Sequence, residues 1–129
     1  MSSLIKTKIL ILSDTHGLEF PADRKPLAPA DVAIHCGDLT GDSKLHDFRQ
    51  AIQLLKEINA PLKILIAGNH DFSLDDAVFK EKIAEASRVA HENLDHSIKM
   101  EYGDYGDARQ LLHEAKDQGI ILLEEGSHQ

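Results

Sequence analysis

The chain has one cysteine, no tryptophan, two tyrosines and four phenylalanines in 129 residues. The lone Cys36 has no partner within the chain for a disulfide, which fits a reducing compartment. No apolar run approaches the roughly 20 residues that a membrane-spanning helix requires. Lys6 and Lys8 precede a short apolar run, but it stops at Asp14, too early for a signal peptide. A cytoplasmic protein with no membrane partner is the expectation. Basic residues are also few, 14 against 22 acidic, and the net charge of −8 repels a polyanion, which argues against nucleic acid binding by charge. Proline is scarce outside residues 20–31, "FPADRKPLAPAD", which hold all but one of the four and therefore form an irregular connection.

What is present is a globular composition, 42% hydrophobic and 28% charged. The length suits one domain, residues 1–129. Three short apolar stretches closed by glycine or turn residues read as buried strands: 8–12 "KILIL", 32–36 "VAIHC" and 62–67 "LKILIA". A fourth, "IILL", lies at 120–123. Leu45, Phe48, Ile52 and Leu55 make one face of a helix over 43–58, capped by Asp42 or Ser43. A second helix is expected from Asp75 or Asp76 to about residue 90, carrying Phe79, Ile83, Ala86 and Ala90 on one face. A third, over 108–117, ends near Gly119. Residues 91–107 are polar and read as a loop. Strand, helix and strand in this order imply an α/β fold with parallel neighbours in one sheet.

Each of the first three strands runs directly into residues that bind metals. Ser13-Asp14-Thr15-His16-Gly17 follows the first, Gly37-Asp38 the second and Gly68-Asn69-His70-Asp71 the third. In a parallel sheet these ends share one edge, where α/β proteins place ligands. Carboxylate, imidazole and amide oxygen suit divalent cations such as Mn, Fe, Zn or Mg. The alternation of an extended chain would put Asp14 and His16 on one side. Gly17, Gly37 and Gly68 would let the backbone turn beside the ion. Two carboxylates facing two divalent cations leave about +2, which suits a phosphate ester.

These clusters, "SDTHG", "CGDLTGD" and "AGNHD", resemble the D-x-H, G-D and G-N-H-D/E signatures of the metallophosphoesterases, or calcineurin-like phosphoesterases. The resemblance covers roughly residues 8 to 75. It implies an α-β-β-α sandwich in which this chain supplies mainly the first sheet and its helices. It also implies that Asp14 and His16 hold a first metal, Asp38 bridges two metals and Asn69 holds the second. His70 would then stabilise the transferring phosphoryl group or protonate the leaving oxygen, with Asp71 as its catalytic companion. The implied reaction is hydrolysis of a phosphomonoester or phosphodiester by a metal-bound hydroxide.

The family completes its site with later histidines, typically a lone His and then G-H-x-H, which this chain lacks. The domain therefore reads as truncated at its C-terminus, and at most one of the two divalent ions is expected to bind firmly. The same reasoning leaves one sheet face bare, a surface for self-association. Protein phosphatases of the family carry an aspartate three residues after the bridging one to pair with the catalytic histidine. Gly41 stands there instead, and Asp71 is the expected substitute for orienting His70. The alternative to an enzyme is a catalytically incomplete metal-binding or interaction module. His35 reads as a packed, hydrogen-bonded histidine and Cys36 as a small buried residue. His46, His91, His96, His113 and His128 read as surface or unmatched positions.

Overall fold

A computed structural model describes residues 4–20 and 28–124. Most of the proline-rich connection, and His128, lie outside the described residues. Among the described residues, four strands, β1 (Ile9–Leu12), β2 (Val32–His35), β3 (Leu62–Leu65) and β4 (Ile120–Leu122), form one sheet in the order β1-β2-β3-β4. Every neighbouring pair is parallel. The described residues also form four α-helices: α1 (Leu45–Glu57), α2 (Asp76–Ala90), α3 (Asp95–Tyr102) and α4 (Asp107–Glu114).

The register explains how the apolar strands divide their side chains. Leu10, Ala33, Lys63 and Ile120 stand in one row across the sheet, and Leu12, His35, Leu65 and Leu122 in the next. This face packs against Phe48, Ala51, Ile52, Leu54 and Leu55 of α1 and Ala108 and Leu112 of α4. Phe48 is wholly buried, so its truncation to alanine would cost about 3–5 kcal/mol. One member of the row is unexpected. Lys63 is only 6% exposed, and burial pushes its ammonium pKa below the ordinary value.

The alternate residues of each strand face away from α1 and α4. Ile9 and Ile11 of β1 are 53% and 68% exposed, and Ile66 beyond β3 is exposed as well. A parallel sheet normally buries both faces, so the apolar run of β1 is covered on one side only. Among the described residues, the outward side of β1 is exposed, the part of a bare face that the sequence led one to expect.

The helices differ from expectation in two places. Lys44, not Asp42 or Ser43, stands at the N-cap of α1 and gives no side-chain cap. Ser43 adopts a left-handed conformation, φ 61°, and its hydroxyl donates to the His70 carbonyl and accepts from the Ser73 amide. It ties the β3 turn to α1 instead of capping the helix. Residues 95–102, expected to be loop, form α3. Its sequence periodicity is weak, and it is held by contacts remote in sequence: the Tyr102 hydroxyl donates to Asp42 Oδ2 at 2.6 Å, and Lys44 pairs with Glu101 at 3.6 Å. The Tyr102 ring also packs near Phe72 and Phe79. Finally, α2 follows the expected bounds, and the Asp75 carboxylate caps it by accepting from the Ala77 and Val78 amides.

Cys36 is exposed rather than buried. Since the preceding His35 points into the core, alternation turns Cys36 toward the opposite face. His35 itself is fully buried, as expected, while His46, His91, His96 and His113 are exposed.

Candidate metal centre

The three loops that follow β1, β2 and β3 are stitched together where the strands stop. Backbone pairing continues past β1 and β2, with Asp14 N–H donating to Gly37 O, His16 N–H to Asp38 O and Gly17 N–H to Leu39 O, all within 3.0 Å. Asp14, His16 and Asp38 take left-handed φ values of 56°, 51° and 56°. Asp14 and His16 thus converge through a left-handed turn and not through the alternation of an extended chain. Left-handed backbone at non-glycine residues is costly and clusters at functional sites.

The convergence is close. Asp14, His16 and Asp38 each offer a ligand atom, and these lie within 4.8 Å of one another. His16 Nε2 is 3.8 Å from Asp14 Oδ1. A divalent ion about 2.1 Å from each donor needs donor separations of roughly 3–4 Å; the His16–Asp14 pair meets this, and one imidazole with two carboxylates is a donor set that suits such an ion. The neighbouring Ser13 hydroxyl holds the Asp14 carboxyl below its ordinary pKa. It is therefore ionised at neutral pH, the form that ligates.

Asn69 is exposed in the turn after β3, between two residues that touch Asp38. The His70 amide donates to Asp38 Oδ1 at 2.9 Å. Gly68 approaches so closely that a Cβ there would lie 2.2 Å from Asp38 Oδ1 and 2.3 Å from Asp38 N. Only glycine allows the β3 turn to lie against the Asp38 carboxylate.

The two histidines of the site are oriented alike. His16 Nδ1 lies 3.2 Å from Thr40 O, and His70 Nδ1 lies 2.8 Å from Gly41 O. A carbonyl only accepts, so each Nδ1 carries the proton and each Nε2 is left with its lone pair. The rings meet edge to face with centroids 4.8 Å apart. His70 is thus oriented by the Gly41 carbonyl, at the position where the sequence lacks an aspartate, and not by Asp71. The Asp71 carboxylate is buried and bonded to the amides of Leu39, Thr40 and Gly68 and to the Thr40 hydroxyl. Beneath the site, His35 Nδ1 accepts from the Gly37 amide, so its Nε2–H donates to Thr15 Oγ1 at 2.9 Å.

A family model described as calcineurin-like phosphoesterase matches residues 7–126. A 78-residue stretch, 58% of the chain, is 31% identical to UPF0046 protein T07D4.2 of Caenorhabditis elegans, covering 18% of that protein. A 69-residue stretch, 53% of the chain, is 36% identical to a probable rhamnogalacturonate lyase C of Emericella nidulans, covering 6% of it. The chain spans less than a fifth of the length of these curated relatives.

Proposed function

Because the match over residues 7–126 takes in nearly the whole sequence, the chain belongs to the calcineurin-like phosphoesterase family, and we propose that it hydrolyses phosphate monoesters or diesters with divalent metal. The observation that carries this reading is the meeting of Asp14, His16 and Asp38 at the C-terminal edge of the sheet, beside an imidazole that is not among them. Bound there, a divalent cation supplies charge neutralisation for the phosphoryl oxygens and a more acidic water as nucleophile. The chain's own residues do the rest. Asp14, His16 and Asp38 hold the ion, and Asn69 offers a neutral oxygen toward a second one. His70, with Nδ1–H fixed on Gly41 O, presents Nε2 to the phosphoryl group or the departing oxygen. Asp71 serves the site without touching the His70 ring.

Among the described residues, three His, Cys, Asp or Glu side chains gather at the site. One metal would be held by all three, whereas a second would have Asp38 and Asn69. The binuclear site of the family is therefore proposed here as one firm and one weak position. Manganese titration by calorimetry is expected to give one tight site per chain, and two tight sites would refute this.

Activity is tested on p-nitrophenyl phosphate and bis-p-nitrophenyl phosphate with manganese, alongside Asp38→Asn and His70→Ala. The wild-type chain is expected to exceed both variants on at least one ester. Equal rates in all three proteins would instead support the second reading, a metal-binding or interaction module, which the sparse donor set for a second ion favours. The ester that is cleaved is chosen by surrounding loops. Among the described residues no helix is long and apolar enough to cross a membrane. A cytoplasmic location is proposed from the single cysteine.

A further inference from the structure

We propose that Asp71 is a positioning residue that fixes the tautomer and aim of both site histidines, acting through the backbone of Leu39–Gly41. The inference deepens the phosphoesterase reading and rests on it for its catalytic consequence. Its geometric content stands on hydrogen bonds alone.

Asp71 is 1% exposed, and none of its hydrogen-bond partners is a cation. Its Oδ1 accepts from the Thr40 amide at 2.9 Å and the Thr40 hydroxyl at 2.8 Å. Its Oδ2 accepts from the Leu39 and Gly68 amides, both at 3.0 Å. Four donors on one buried carboxylate make charge-assisted bonds, stronger than neutral ones. They clamp the loop after β2 to the turn after β3.

The clamped segment is the one whose carbonyls receive the two imidazoles. Thr40 gives its N–H to Asp71 and its C=O to His16 Nδ1, and the next carbonyl, Gly41, takes His70 Nδ1. Leu39 and Thr40 cannot rotate without breaking bonds to Asp71, so the carboxylate sets the direction of the Thr40 carbonyl directly and that of the Gly41 carbonyl through the adjoining peptide. The carbonyls in turn hold the Nδ1–H tautomers and leave both Nε2 atoms free. Outer partners of this kind tune ligand histidines, and their loss typically costs 10- to 100-fold in metal affinity.

Asp71→Asn tests the inference in the full chain. An amide places an NH2 group where two N–H donors converge, so part of the clamp must open. The first readout is the two-bond proton–nitrogen correlation of the imidazoles in metal-free protein. Wild type is expected to show Nδ1–H at His16 and His70, and Asp71→Asn a mixture of tautomers at one or both. The second readout is manganese affinity, expected to fall about tenfold or more. Ile52→Ala, a core change under α1 away from these loops, controls for lost stability and should leave the tautomers as in wild type. If Asp71→Asn does not fold, Asp71→Glu, which keeps the charge but lengthens the arm, is read in the same way. Wild-type tautomers together with wild-type affinity, in whichever variant folds, would overturn the proposal. The tautomer readout needs neither metal nor substrate, so a protein that hydrolyses no ester still decides it.

Discussion

Replacing Gly68 by alanine isolates how tightly the site depends on one close approach. The new Cβ would lie 2.3 Å from Asp38 N and 2.7 Å from Asp38 Cγ, with Asp38 Oδ1 nearer still. The nearest atoms belong to backbone and to a short carboxylate, so no flexible tip can swing aside. Reaching ordinary contact demands a separation of about 1 Å between the turn after β3 and Asp38. Overpacking of this kind costs roughly 1–3 kcal/mol, or about 4–12 °C in Tm for a domain of this size. The larger effect falls on the site. Asp38 is a ligand candidate and also accepts the His70 amide, so the movement separates the ligand from the imidazole. A misplacement of about 1 Å can cost on the order of a hundredfold in rate, and manganese affinity should fall about tenfold or more. Thermal melts and calorimetric titration with manganese measure both. Gly106→Ala is the control: its φ is +87° but nothing lies within 4 Å, so it should lose about 1 kcal/mol from backbone strain and keep its affinity. Wild-type manganese affinity in Gly68→Ala would refute the reasoning.

Other consequences follow from the core and the bare face. Lys63→Met should raise Tm, by the equivalent of about 1 kcal/mol, because folding buries the ammonium. The folded pKa is depressed, so the wild-type penalty is largest below it and fades as pH rises toward 10.5. A lower Tm for Lys63→Met at neutral pH would contradict this. His35 is also held below its ordinary pKa, chiefly by burial. The unfolded chain therefore takes up its proton first, and stability should drop as pH falls below about 6.5. His35→Gln should flatten that part of the profile in chemical denaturation, and an unchanged slope would exclude His35 as its source. Ile11→Lys, at a position 68% exposed, should change stability by no more than about 0.5 kcal/mol while reducing light scattering at high concentration. A large loss of stability would mean that the sheet face is covered.

Much of the site was legible because chain-local signals were strong. Four apolar stretches ended in turn residues, and three of them led into Asp, His, Gly and Asn. Parallel pairing then brought those ends to one edge without further information. The hidden parts depend on contacts distant in sequence. Nothing local marks residues 95–102 as helix, since Tyr102 meets Asp42 across sixty positions. Nothing local shows Lys63 as buried either, because the covered face depends on where α1 and α4 settle.

Asp71 departs most informatively from its expected role. In sequence it adjoins His70, and adjacency suggested that one carboxylate orients one imidazole. In space its carboxylate turns away, toward the amides of Leu39, Thr40 and Gly68. His70 reaches instead for a carbonyl at Gly41, a residue with no side chain to advertise the role. A backbone carbonyl cannot be recognised in a sequence as an orienting group, since every residue has one. What sets this one apart is its place directly after Leu39 and Thr40, which the buried Asp71 carboxylate holds. The orienting function has therefore passed from a side chain to the main chain, and the dependence on an acidic residue has moved one bond network further from the site.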